Sequence, residues 1–146
     1  MKKFIIATFA AVCSIFSACA DNDRIITFDQ LPAAAQAIVQ QYKNVADIAY
    51  VKLDPEFFGG DEYSVRFNDG KEFEFEEDGS LRKVDYQYEA VPEALVPEVV
   101  RQQVKASFPQ ALIVEWGKSG WGWKAELNNK IEIKFDRNLQ MRGLDD

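Results

Sequence analysis

Two stretches of this chain carry the same pattern in the same order, and that duplication narrows the folds open to it. One runs from Leu31 to about Val84, the other from Val96 to about Arg142. Each opens on a hydrophobic-proline pair, Leu31-Pro32 or Val96-Pro97, and continues into a helix-like stretch. Each then places Ala, Ile and a larger apolar residue at matching spacing: Ala46, Ile48 and Val51, then Ala111, Ile113 and Trp116. Each closes on residues alternating with a period of two, the signature of a half-buried strand: Tyr63, Val65, Phe67, Phe73 and Phe75 against Trp123, Ala125, Leu127, Ile131 and Ile133. Asp78-Gly-Ser-Leu81 is paired in this reading with Asp136-Arg-Asn-Leu139. The expectation is an α+β fold of two tandem helix-plus-four-antiparallel-strand repeats, about 26–88 and 89–146, forming one extended sheet with both helices on one face.

The first twenty residues do not contribute to that core. Lys2-Lys3 is a basic n-region, Phe4 to Phe16 is an apolar run too short for a permanent membrane anchor, and Ala18-Cys19-Ala20 is a small-x-small cleavage pattern. Residues 1–20 therefore read as a signal peptide and 21–146 as a single domain. Cutting after Ala20 releases a soluble protein; Phe16-Ser17-Ala18-Cys19 also has the form of a lipobox, with Cys19 as the lipidated first residue of a lipoprotein. Both routes lead to the periplasm or beyond, and neither leaves a transmembrane segment in the mature chain. Cys13 leaves with the signal and Cys19 is lost or capped, so stability has to come from packing rather than from a disulfide.

Charge and composition exclude whole classes of function. Removing residues 1–20 takes away Lys2 and Lys3 and no acid, so the net charge goes from −7 to −9. That acidity works against nucleic acid and anionic lipid as partners. Histidine is absent, which with the loss of both cysteines removes the commonest general base, metal ligand and thiol nucleophile together. No serine sits in a nucleophile elbow and no glycine-rich loop fits a phosphate. The chain reads as a non-enzyme without a cofactor. Asp54, Asp61, Asp69 and Asp78 are the available calcium ligands, but none lies in a D-x-D-x-D-G loop and turn chemistry accounts for each.

Along the mature chain, Thr27 or Asp29 is placed to cap a first helix carrying Leu31, Ala34, Ile38 and Tyr42 on one face and ending at Asn44. Strands follow at about 45–53, 62–67, 73–76 and 81–88, with Asp54-Pro55-Glu-Phe-Phe-Gly-Gly60 as a turn and Asn68-Asp69-Gly70 as a hairpin. In the second half Pro92 and Pro97 break the helix lead-in into two short pieces. Val96, Val100, Val104 and Phe108 form the apolar stripe, Pro109 ends it, and strands follow at about 111–117, 121–127, 131–135 and 139–144.

These features together resemble the PepSY-like family of secreted bacterial proteins, which have a beta-lactamase-inhibitor-protein-like fold. The residues carrying the likeness are Ile26-Thr-Phe-Asp-Gln-Leu-Pro32, Phe57-Phe58, Leu81-Arg-Lys-Val-Asp85, Val91-Pro92, Phe108-Pro-Gln-Ala111, and Leu127-Asn-Asn129 before Ile131-Glu-Ile-Lys-Phe-Asp136. The resemblance implies a periplasmic or secreted protein that binds or inhibits another protein, such as a peptidase. It carries no catalytic residues over, and inhibition read from a shared fold is analogy.

Two features are candidate partner-binding elements. The first is a matched pair of aromatic-glycine loops, Phe57-Phe58-Gly59-Gly60 and Trp116 through Trp123, whose tips Phe57, Phe58 and Trp121 suit anchors entering a partner's cleft. Trp116 and Trp123 share the parity of core residues. The second is the acidic row Glu72, Glu74 and Glu76 opposite Phe73 and Phe75, tempered by Arg66 and by Lys124, Lys130 and Lys134; cross-strand pairing explains much of it without any partner. The reading is a binding module for another envelope protein or peptide, with a structural or small-ligand carrier protein as the alternative.

Overall fold

The computed structural model describes residues 23–56, 58–120 and 122–145. The signal segment with Cys19, and the loop residues Phe57 and Trp121, lie outside the described residues.

The chain begins with a short strand, β1 (Arg24–Ile26), then a 3-10 turn at Phe28–Gln30 and helix α1 (Ala33–Tyr42). A second 3-10 turn at Val45–Asp47 leads into β2 (Ile48–Glu56), β3 (Gly60–Phe67), β4 (Glu72–Phe75) and β5 (Leu81–Asp85). A third, at Glu93–Leu95, precedes α2 (Glu98–Ser107), followed by β6 (Ile113–Ser119), β7 (Gly122–Leu127), β8 (Glu132–Phe135) and β9 (Met141–Asp145). All nine strands form one antiparallel sheet in sequence order, each pairing with its neighbours in the chain.

The class is α+β, but the arrangement expected from the duplication is corrected: the structure is a single nine-stranded sheet, not two helix-plus-four-strand repeats. β1, which the periodicity did not reveal, pairs Arg24, Ile25 and Ile26 with Leu53, Lys52 and Val51 and adds a strand ahead of the first helix. At the expected boundary there is no break, because Lys83, Val84 and Asp85 pair with Gly117, Trp116 and Glu115 as one ladder. Both helices then pack into one continuous core. Val51, Val65, Phe73, Val84, Trp116, Ala125 and Ile133 stand in cross-strand register on one face of the sheet. They are buried with Ala35 and Val39 of α1 and Val100 and Val104 of α2.

Several boundaries move for physical reasons. β2 runs through Asp54-Pro55, which sequence had placed in a turn, because the pairing with β1 stops at Leu53 and the proline's missing N–H faces no strand. β5 ends at Asp85 because Gln87 takes a left-handed φ of 62°. Proline, not Thr27 or Asp29, stands at the N-cap of each helix, Pro32 for α1 and Pro97 for α2. The buried ladder of α1 is Leu31, Ala35 and Val39, one residue round from the expected face; Ala34 is exposed. The stripe of α2 is as its spacing predicts. The turn pairing is also shifted by two: the N–H of Gly79 donates to the Glu76 carbonyl and that of Leu139 to the Asp136 carbonyl, so Glu76 and Asp136, not Asp78 and Asp136, are the equivalent positions.

Candidate interaction face

The helices cover one face of the sheet, so the alternate residues of every strand form the other. Strand pairing alone fixes their arrangement. Glu72, Asp85, Glu115, Glu126, Glu132 and Asp145 stand directly opposite one another on successive strands β4 to β9. The next row toward the β2–β3 hairpin end reads Glu74, Lys83, Gly117, Lys124, Lys134 and Gly143. A line of six carboxylates therefore lies beside a line containing three ammonium groups.

Like charges placed directly opposite destabilise a sheet, and the adjacent row answers this. Glu115, only 8% exposed, is held by Lys83 at 3.3 Å and Lys124 at 3.2 Å. Lys124 also reaches Glu132 at 3.0 Å, and Lys134 pairs with Asp145. Gly117 makes room for this: a Cβ there would lie 2.7 Å from the Lys83 side chain, which crosses the strand at that point. Burial works to lower the pKa of Lys124, yet the carboxylates of Glu132 and Glu115 outweigh it and raise the value.

The expected acidic row is on this face, and each member is partnered. Arg66 holds Glu72 at 2.6 Å, and Lys118 holds Glu76 at 2.7 Å. Arg82 contacts Glu62 at 3.0 Å, Glu74 at 3.1 Å and Glu76 at 3.8 Å. A bulge between β4 and β5 sets Glu74 opposite Lys83 and Phe75 opposite Leu81, and both Arg82 and Lys83 reach carboxylates of this face. Burial raises the pKa of the Glu72 and Glu62 carboxyls, and Arg66 and Arg82 offset this only in part. Sequence reasoning singled out Glu72, Glu74, Glu76 and Arg66 but missed Arg82, Lys83 and Glu115. The signal for Glu115 was available, since its parity relative to Trp116 puts it on the charged face.

Of the aromatic tips, Phe58 is 87% exposed at the β2–β3 hairpin. The loop containing Trp121 joins β6 to β7 at the same end of the sheet, four strands away, about 19 Å at the usual strand spacing. The two loops thus share an end of the sheet but do not converge. Trp116 and Trp123 belong to the core side and stack with ring centroids 5.2 Å apart.

Chemically the face is suited to holding a charged surface. Its lysines are ammonium groups gripped by carboxylates, poor as bases or nucleophiles. Among the described residues no group of three or more carboxylates is arranged to hold a metal ion, and no helix is long and apolar enough to cross a membrane.

Residues 61–142 match the family model described as "Putative beta-lactamase-inhibitor-like, PepSY-like". The chain belongs to the PepSY-like family. Its fold is shared by a crystal structure from Bacteroides vulgatus, described as a "putative periplasmic protein from DUF2874 family". That chain is 30% identical, with a TM-score of 0.78, over 87% of this chain and 99% of that one. A "putative calcium-regulated periplasmic protein" from Bacteroides thetaiotaomicron is 27% identical with a TM-score of 0.76, over 86% and 98% of the two chains. A second protein from Bacteroides vulgatus, a "putative periplasmic protein of unknown function", is 25% identical with a TM-score of 0.76, over 85% and 99%. No curated protein matches the chain. The periplasmic or secreted location read from the sequence agrees with the descriptions of all three structures' proteins, and the family points to a non-catalytic module.

Proposed function

We propose that this protein is a non-enzymatic binding module of the bacterial envelope that captures another envelope protein or peptide on the helix-free face of its sheet. The observation that carries the reading is the striped charge pattern, a row of six carboxylates beside a row of three lysines across β4 to β9. A face with ordered charge of both signs favours a protein surface over an apolar ligand, because complementary charge sets register, partner choice and encounter rate more than raw affinity. The alternative of an apolar ligand cradled by the open sheet fits this face poorly. Phe58, projecting at one end of the sheet, supplies an apolar anchor of the kind that dominates interface energy; Phe57 and Trp121 are proposed to act with it. Inhibition of the partner is the finer form of the reading, and it rests on the family's description and the analogy of fold.

The test is capture from envelope extract on the immobilised protein at rising salt. Two variants accompany it: Lys118→Glu with Lys134→Glu, and alanine at Phe57, Phe58 and Trp121. Expected is a partner whose retention falls with salt and with each variant, while circular dichroism shows the fold kept. Retention indifferent to salt and to both variants would overturn the proposal. The calcium regulation in the description of the 27% identical structure's protein gives a further check: if it extended to this chain, calcium would raise the melting temperature.

A further inference from the structure

A groove of about 350 Å3 lies between α2 and the start of β6, away from the charged face. Its walls include the apolar side chains of Val91, Val96, Val104, Ala111 and Ile113. Arg101 and Lys105 line it from α2, one turn apart. Its volume falls in the usual range of small-ligand sites, about 300–1,000 Å3.

The lead-in to α1 shows what this groove lacks. Each helix follows a 3-10 turn and a proline: Phe28–Gln30 and Pro32 before α1, Glu93–Leu95 and Pro97 before α2. Counted back from the proline, Phe28 and Glu93 hold the same place. Phe28 packs against the core. Glu93 turns outward instead, and its carboxylate meets Arg101 at 3.3 Å. An aromatic ring that the chain supplies beside α1 is missing beside α2.

The charges around the groove do not all cancel internally. Glu93 is taken by Arg101, whereas Glu98, in the first turn of α2, accepts a hydrogen bond at 2.9 Å from the neutral Gln102 amide and keeps its charge, two turns from Lys105. Among the described residues no ion pair engages Lys105. A cation in the last turn of a helix suits the helix dipole, which accounts for the residue's position but leaves its ammonium group available. We propose that the groove binds a small amphipathic monoanion, an aliphatic chain or aromatic ring ending in a carboxylate. The apolar body would lie against Ala111, Leu112 and Ile113 over the buried valines, and the carboxylate would meet Lys105. This site is independent of the charged sheet face.

The experiment is a titration of the protein with dodecanoate below its micelle concentration, followed by amide chemical shifts. Expected are saturable shifts confined to the lead-in of α2, α2 itself and residues 109–113. Lys105→Glu should weaken binding about threefold to tenfold, the scale of one exposed ion pair turned into a repulsion. Glu93→Phe, which restores the aromatic residue found before α1, should abolish it; Ala111→Leu blocks the same space should the first variant fold poorly. Dodecyltrimethylammonium, with the same chain and the opposite charge, should bind more weakly. Absence of saturable shifts, shifts elsewhere, or affinities indifferent to Lys105→Glu and to ligand charge would each overturn the proposal.

Discussion

α1 and α2 meet the same kind of hairpin turn and dock on it by different chemistry. Beneath α1, Gly79 has φ of 82°, and a Cβ there would lie 2.8 Å from the Pro32 Cβ and 3.0 Å from the Ala35 nitrogen. The helix therefore sits directly on turn backbone, an approach only glycine permits. Beneath α2 the equivalent residue is Leu139, also left-handed at 61°. There the contact is polar: Gln103 Nε2 donates to the Leu139 carbonyl at 2.7 Å, and its Oε1 accepts from the Met141 N–H at 2.9 Å. One helix is docked by steric closeness, the other by a two-point hydrogen-bonded clamp. A helix–turn contact can thus be kept while its chemistry is exchanged completely.

The largest expected effect breaks the first kind of docking. Gly79→Ala combines left-handed strain with overpacking and should cost about 2–4 kcal/mol in urea unfolding. Gln103→Ala breaks the second. It strands one donor and one acceptor and should cost about 1–2 kcal/mol by the same measurement.

The hairpin turns sharpen the contrast further. Gly70 and Lys130 occupy equivalent left-handed positions, with φ of 85° and 72°, so Lys130→Gly should raise stability by up to about 1 kcal/mol. The smallest effect concerns the residue before each. Asp69 accepts the Lys71 N–H at 3.1 Å and pairs with Lys43 at 2.7 Å and Lys71 at 3.0 Å. Asn129 accepts the Ile131 N–H at 3.3 Å. Burial acts to raise the pKa of Asp69, but the two lysines outweigh it and hold the carboxyl well below the usual range. With its folded pKa depressed, Asp69 contributes stability that is present above about pH 3.9, the ordinary aspartate value, and is lost as pH falls below it. Asp69→Asn gives the first turn the chemistry of the second, and should flatten the acid limb of a stability–pH curve while leaving stability near pH 7 lowered by only about 0.5 kcal/mol.

Most of the elements were legible in the sequence. Eight of the nine strands, β2 to β9, were located, and period-two alternation placed Val65, Phe73, Ala125 and Ile133 inside. β1 was not legible, because three residues are too few for a period to show. One extended sheet was expected, but the register that joins its halves was not legible: similarity between two stretches does not say which residues of their edge strands pair, and the Lys83–Asp85 ladder with β6 is a long-range contact. The charged face was half legible. Glu72, Glu74 and Glu76 stand out as a local alternation, whereas the line of carboxylates through Glu115 and Asp145 exists only once register is set. The groove beside α2 was invisible for a similar reason, since it depends on what Glu93 leaves unfilled.

The strand order has a mechanical consequence. Each strand pairs only with its neighbours in the chain, and β1 and β9 lie at opposite edges. Antiparallel hydrogen bonds run across the strands, so a load applied through those two edges acts along the bonds and meets them a few at a time. The sheet would peel open hairpin by hairpin rather than resist in shear. A tether on one edge strand and a captured partner on the other would therefore pull this protein apart along its softest direction, whereas a partner spread over many strands of the charged face would brace it.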